Sequence, residues 1–193
     1  MEVSSQTDES INILETQIRQ CFGSIVWTHK THEKQADLYL KNFNKFKITQ
    51  IILSAVTTSG LIISILGDNK IGTIISTVLS AILLCINLIF LNYDLSKMAQ
   101  KHIDTANKLW EVREEYISLL TDIKAGFLDE DTIRIKRDEL NRKVAEIYNN
   151  APRTTSKAYK LASEALKKNE EFTFSDDEID RFLPKELWRK LTP

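Results

Sequence analysis

Two apolar runs without charged side chains, joined by a short polar turn, constrain this sequence more than any other feature. The runs are residues 48–67 and 71–93, and neither contains Asp, Glu, Lys, Arg or His. A helix rises roughly 1.5 Å per residue, so about 20 residues cross a hydrocarbon core of about 30 Å. The turn at residues 68–70 is so short that the two helices must be antiparallel neighbours. The sequence therefore predicts a transmembrane helical hairpin with an external turn.

A buried hairpin within a soluble helical bundle is the alternative interpretation of the same runs. A surface helix of a globular protein carries a wide polar stripe, whereas only Ser, Thr, Asn and Gln interrupt the apolar residues here. A chain of 193 residues is also too small to cover two such helices on every side. The first twenty or so residues lack a basic region and an apolar core, so we expect no cleavable signal peptide.

Lysines flank the hairpin on the side of the chain termini, whereas the turn contains Lys70 alone. They are Lys30, Lys34, Lys41, Lys45 and Lys47 before the first run, and Lys97, Lys101 and Lys108 after the second. Basic residues stay on the cytoplasmic side of membrane spans. We therefore expect both termini to be cytoplasmic.

Hydroxyl and amide side chains form one row on each predicted span. The rows are Gln50, Ser54, Thr57 and Ser64 on the first, and Thr73, Ser76, Ser80 and Asn87 on the second. Such residues either pack transmembrane helices closely or line a pore, and in an oligomer both roles can coexist. Gln50 and Asn87 should lie at similar depth, where an unbonded amide is costly. We expect them to bond across the hairpin or between subunits, or to line a hydrated vestibule.

Helical periodicity continues on both sides of the hairpin. We predict a disordered N-terminus over residues 1–9 and an amphipathic helix over residues 10–47 that leads into the first span. Residues 94–126 repeat apolar side chains with a period near 3.5, which is typical of a coiled coil, and should continue unbroken from the second span. Because both helices leave the same end of the hairpin, they should form an antiparallel cytoplasmic stalk.

Helix-capping residues divide the remainder of the chain. Residues 129–170 should form further cytoplasmic helices, with Asp129 and then Thr155 or Ser156 as N-caps. The tail, residues 171–193, should contain short helices that begin after Ser175 and at Pro184. No strand pattern occurs, so the predicted class is an all-α membrane protein with a hairpin, a stalk and short C-terminal helices.

Signatures of catalysis and of cofactor binding are missing from the sequence. No glycine-rich phosphate loop, nucleophile elbow or paired-carboxylate motif occurs, so we predict neither an enzyme nor a cofactor. His29, His32 and His102 could meet in the stalk and bind zinc, or simply pack there, and we predict no metal site. The net charge of −1 gives no reason to expect direct binding to nucleic acid.

The order of segments provides one further indication. The relevant stretches are residues 19–47, the Ser/Thr-Gly stretch at residues 57–60, and residues 98–116 and 146–162. Together they resemble the SLATT family, the SMODS and SLOG-associating two-transmembrane effectors of bacterial conflict systems, over about residues 10–170. The resemblance implies an effector in the bacterial inner membrane that forms pores when a partner senses infection. Implied partners are enzymes that make nucleotide second messengers or reverse transcriptases encoded nearby, and no catalytic residue is carried over.

Two hypotheses therefore stand beside each other. The first is an anti-phage effector that forms a homo-oligomer in the lipid bilayer and either opens a pore or disrupts the membrane. The second is a membrane-anchored scaffold or sensor that recruits a cytoplasmic partner without conducting. An ion-coupled transporter is disfavoured because the spans lack an ionisable group.

Overall fold

The computed structural model describes residues 2–67 and 70–188 of the chain. Within them, α-helices follow one another without a strand: α1 (Glu2–Gly67), α2 (Lys70–Asn92), α3 (Leu95–Lys124), α4 (Glu130–Asn150), α5 (Ser156–Lys167) and α6 (Asp176–Phe182). A short 3₁₀ helix, Lys185–Leu187, follows α6. The predicted all-α class is confirmed. Residues 68 and 69 of the predicted external turn lie outside the described residues.

α1 is a single helix of 66 residues that contains both the first stalk segment and the first span. It begins at Glu2, so the predicted disorder over residues 1–9 is wrong for residues 2–9. No proline occurs in α1 and no glycine precedes Gly23, so nothing in this part of the sequence ends the helix.

The second span does not continue unbroken into the stalk, contrary to prediction. α2 ends at Asn92, and Asp94 caps α3 by accepting a hydrogen bond from the Lys97 backbone N–H at 2.8 Å. An aspartate at this position satisfies an otherwise unpaired donor at the start of α3 and so favours a new helix over continuation of the old one.

The contacts of α1 with α2 and α3 show that these elements run antiparallel. Phe46 packs edge-on against Phe90, with ring centroids 5.2 Å apart. Further from the hairpin, His32 contacts His102, and the Phe22 ring lies 5.8 Å from the Arg113 guanidinium carbon. Contact residues nearer the N-terminus of α1 therefore meet residues nearer the C-terminus of the α2–α3 segment. We call residues 48–67 together with α2 the hairpin, and residues 10–47 together with α3 the stalk.

The apolar core lies in the stalk. Most positions of the predicted α3 repeat are buried, namely Ala99, His102, Ala106, Leu109, Tyr116 and Ile123, whereas Leu95 and Leu120 are half-buried. Leu109, Tyr116 and Ile123 form one core cluster with Ile18 and Ile25 of α1. α4 covers one side of the stalk with Ile133 and Leu140. The Tyr116 hydroxyl donates to Asn141 Oδ1 at 3.1 Å, which gives its buried polar tip a partner. α5 packs on α1, with Ala158, Ala162 and Ala165 buried.

The predicted N-caps are confirmed by their hydrogen bonds. Asp129 accepts from Thr132 N–H at 2.8 Å, and Thr155 accepts from Ala158 N–H at 3.3 Å. Ser175 and Glu178 form a reciprocal capping box at the start of α6. The helix predicted to begin at Pro184 is only the 3₁₀ turn Lys185–Leu187, which ends before Trp188.

The hairpin, in contrast to the stalk, is exposed on most of its surface. The most apolar stretches of its two helices are only 11% and 6% buried, and both helices are long enough to cross a membrane. Ile65 and Leu91 are 79% and 84% exposed, respectively. A core helix of a soluble protein would be mostly buried, whereas this apolar surface is exposed, as expected of membrane-spanning helices.

Candidate functional site in the hairpin and stalk

Polar side chains of the hairpin pair with each other across its interface. Gln50 Nε2 donates to Asn87 Oδ1 at 2.8 Å, which is the first of the three arrangements predicted for these amides. At the opposite end of the hairpin the hydroxyls of Ser64 and Thr73 share a hydrogen bond. These pairs satisfy polar groups that would otherwise meet hydrocarbon.

Small residues allow the two spans to approach closely. Gly60 faces Ser76, and a Cβ atom at Gly60 would lie only 2.7 Å from the Ser76 Oγ atom. Ser76 and Thr57 are buried beside this contact. At these positions the structure therefore shows the packing role expected for small residues in membrane helices.

Ser54 and Ser80 are not drawn into the hairpin interface and remain exposed. Ser54 lies in an open groove of about 650 Å³ along α1, which is also lined by Lys47, Gln50, Ile51, Ala55, Thr58 and Ser59. The Thr58 hydroxyl donates to the Ser54 carbonyl at 2.9 Å, so this donor is satisfied within its own helix. The sequence reasoning missed Thr58 and Ser59, although Thr58 follows Ser54 by one helical turn.

A pair of buried histidines joins the two stalk helices. His32 Nδ1 and His102 Nδ1 lie 2.8 Å apart, so one of them carries the hydrogen and donates to the other. Tyr39 stacks on His102, with ring centroids 5.6 Å apart. Burial, and then the neighbouring His102 and His29, lower the pKa of His32 to about 4. Burial also lowers the pKa of His102, so both rings are neutral at pH 7.

His29 does not join the histidine pair. Its ring packs against Trp110 and Phe172, at centroid distances of 5.5 and 5.6 Å, and its Nε2 atom lies 3.9 Å from Glu33. Within the described part of the chain, no group of three or more His, Cys, Asp or Glu side chains is placed to hold a metal ion. The convergence of the three histidines on zinc, which the sequence left open, is therefore not observed.

A short segment after α5 closes over the middle of the stalk. We call residues 170–172 the strap. Glu171 forms ion pairs with Lys30 at 2.6 Å and with Lys34 at 3.4 Å. The hydrogen bond from Lys30 lowers the pKa of the Glu171 carboxyl. Burial acts to lower the pKa of Lys30, but hydrogen bonds to Glu171 and Glu33 outweigh it and raise that pKa. Both groups are thus charged at neutral pH.

The Phe172 ring completes this site with aromatic and cationic neighbours. It lies 5.9 Å from the Trp110 ring, 4.5 Å from Lys30 Nζ and 5.6 Å from the Arg113 guanidinium carbon. Arg113 also stacks on Trp110 at 4.5 Å. The cations attract the negative face of an aromatic ring, and Lys30 also pairs with the Glu171 carboxylate. The site therefore favours a flat ring beside an anion.

The fold defines a class: a small α-helical membrane protein in which a two-span hairpin continues into a packed helical stalk. The family model for the SMODS and SLOG-associating 2TM effector domain family 4 matches residues 14–178 of the chain. The chain belongs to this family, which is a family of membrane effectors and not a known enzyme family. The match extends beyond residue 170, where the resemblance found in the sequence ended, and includes the rest of the strap and the start of α6. No curated protein and no solved structure matches the chain.

Proposed function

We propose that the protein is an antiviral effector that oligomerises in the bacterial inner membrane and opens a pore when a partner senses infection. The effector role of the family supports the general part of this proposal. The observation that carries the pore itself is the groove along α1, in which the hydroxyl residues Ser54 and Thr58 lie on an otherwise apolar, exposed helix. We further propose that the partner is a nearby-encoded enzyme that makes a nucleotide messenger, or a reverse transcriptase.

The interior of a single hairpin offers no conducting path. Gln50 and Asn87 bond to each other, and Gly60 and Ser76 are in close contact, so this interface is filled. A path must therefore lie between several hairpins. The α1 groove supplies hydroxyl groups on the surface that neighbouring copies would share, and hydroxyls can both pack helices and line a pore.

The decisive experiment is dye leakage from bacterial cells in which the protein is induced together with its neighbouring genes. Ser54→Leu and Thr58→Leu should reduce leakage towards the uninduced level, because they replace the hydroxyls of the groove with bulky apolar groups. Ile52→Leu is the matched control, since Ile52 is an exposed apolar residue of the same helix and the change keeps it apolar. Equal leakage from the wild-type protein and the three variants would contradict the pore proposal.

The lysine asymmetry supports a topology in which both termini are cytoplasmic. A reporter fused after Pro193 should then be active only in the cytoplasm. A cysteine introduced at Asn69, which lies outside the described residues, should react with an impermeant thiol reagent added to intact cells. Labelling of this cysteine only after lysis would reverse the orientation.

A non-conducting scaffold or sensor is the second candidate, and the tail favours it. Phe174, Phe182 and Leu187 are exposed around the acidic helix α6, which is a surface suited to a protein partner. A scaffold would retain its partner during purification but release no dye, with or without the neighbouring genes. Leakage on induction would instead favour the effector pore.

A further inference from the structure

The strap occupies a site on the stalk as a bound ligand would, although it is part of the same chain. Its two side chains contribute a carboxylate and a flat apolar ring, and each meets complementary groups on the stalk. Lys30 and Lys34 hold the carboxylate, while Trp110 and His29 lie against the ring. Lys30 itself is only 9% exposed with the strap in place, so its charge depends on the carboxylates of Glu171 and Glu33 that face it.

The strap leaves part of this site unsatisfied. His29 Nδ1 and Arg113 Nε are buried and have no hydrogen-bond partner, although both residues contact the Phe172 ring. His29 is more than nine-tenths buried. A buried polar atom without a partner costs free energy, so an occupant that offered either atom an acceptor would gain a hydrogen bond that the strap does not make.

The strap also adopts a backbone conformation that opposes its own binding. Glu170 and Phe172 have positive φ angles of 51° and 102°, in a region that residues other than glycine rarely adopt. Such strain persists only where surrounding contacts enforce it. Here the ion pairs of Glu171 and the ring contacts of Phe172 enforce it, so an occupant without this strain competes favourably.

We propose that residues 170–172 occupy in cis a binding site for a partner protein, and that the partner inserts a segment in which an acidic residue is directly followed by an aromatic residue. The strap of a second copy is a poorer candidate. The Glu171 N–H donates to the Ala165 carbonyl at 3.1 Å, which fixes the strap to α5 of its own chain. Binding of the partner at this site would switch the effector on. That role rests on the proposed function, whereas the binding itself does not.

The test uses the full-length protein in lipid nanodiscs and the probe N-acetyl-Glu-(4-fluoro)Phe-amide, followed by fluorine NMR. The double variant Glu171→Ala/Phe172→Ala vacates the site and should bind the probe saturably. The wild-type protein should bind it at least about tenfold more weakly, because its strap competes at high effective concentration. Adding Lys30→Met to the double variant should abolish binding, and the Gln-Ala analogue of the probe should not bind.

A second measurement needs no variant. A high concentration of the probe should displace the wild-type strap and accelerate tryptic cleavage after Lys167 and Lys168, whereas the Gln-Ala analogue should not. Absence of binding to the double variant, or binding that persists after Lys30→Met, overturns the proposal, as does cleavage that the probe leaves unchanged. Probe binding without dye leakage would leave this site intact and remove the pore, and leakage without probe binding would do the reverse.

Discussion

Acidification should loosen the stalk through its buried histidine pair. In the folded protein burial lowers the pKa of His32 to about 4, from 6.5 for an unperturbed histidine. The unfolded chain therefore takes up a proton between these values while the folded chain does not. Folding stability is unaffected above about pH 6.5 and declines as the pH falls towards 4. Two protonated rings with Nδ1 atoms 2.8 Å apart would also repel each other.

The size of the effect follows from the width of this interval. Each pH unit below the unfolded pKa costs about 1.4 kcal/mol, so His32 alone should remove about 2 kcal/mol of stability between pH 6.5 and 5. His102 and His29 act in the same direction because burial lowers their pKa values as well. The pKa values of Glu171 and Asp129 are lowered, so these carboxylates stay charged between pH 7.5 and 5. They therefore contribute no loss of stability in that range.

The assay is urea unfolding of the detergent-solubilised protein at pH 7.5 and 5, followed by circular dichroism. The wild-type unfolding free energy should fall by about 2 kcal/mol or more. The His32→Gln/His102→Gln variant, which preserves a polar pair without titrating, should lose less, because among the three histidines only His29 still titrates. Equal losses in both proteins would refute the assignment of the pH dependence to this pair.

Three further predictions concern packing. Gly60→Ala should weaken the hairpin, because its Cβ would lie 2.7 Å from Ser76 Oγ; adding Ser76→Ala should restore thermal stability. Ile133→Ala should cost about 2–5 kcal/mol in urea unfolding, whereas Ile135→Ala on the same helix, at a position 68% exposed, should cost under about 0.5 kcal/mol. Asn87→Leu should insert normally but lose about 0.6–2 kcal/mol of stability, and a larger loss would indicate a role beyond one membrane hydrogen bond.

The hairpin and the caps could be predicted from the sequence because their causes are local. The length of the apolar runs specifies the spans, and Asp129, Thr155 and Ser175 each cap a helix within three residues of their own position. The break at Asp94 was missed because the same residue is compatible with a cap and with the polar surface of a continuing helix. Only the position of its side chain, bonded to Lys97, distinguishes them.

The candidate site was only partly predictable for a related reason. The bond between Gln50 and Asn87 follows from two rules, equal depth in an antiparallel hairpin and the cost of an unbonded amide. The strap follows no such rule. Glu171 meets Lys34 across 137 positions of sequence, and the turn that delivers Phe172 requires positive φ angles that no glycine signals. Its contacts depend on how α5 packs on the stalk.

The distribution of satisfied and unsatisfied polar groups separates two mechanical roles within the molecule. In the hairpin the amides of Gln50 and Asn87 bond to each other, so opening this interface would leave both amides without a partner in lipid. Among the described residues, the hairpin has one buried hydroxyl without a partner, Thr57 Oγ1. In the stalk the buried atoms without a partner are Trp27 Nε1, His29 Nδ1, His102 Nε2 and Arg113 Nε. Rearranging the stalk would cost less free energy than opening the hairpin, because water or a ligand could bond to polar atoms that have no partner in the folded stalk. The stalk, more than the hairpin interior, is therefore the part of the protein where a small binding energy can shift the conformation.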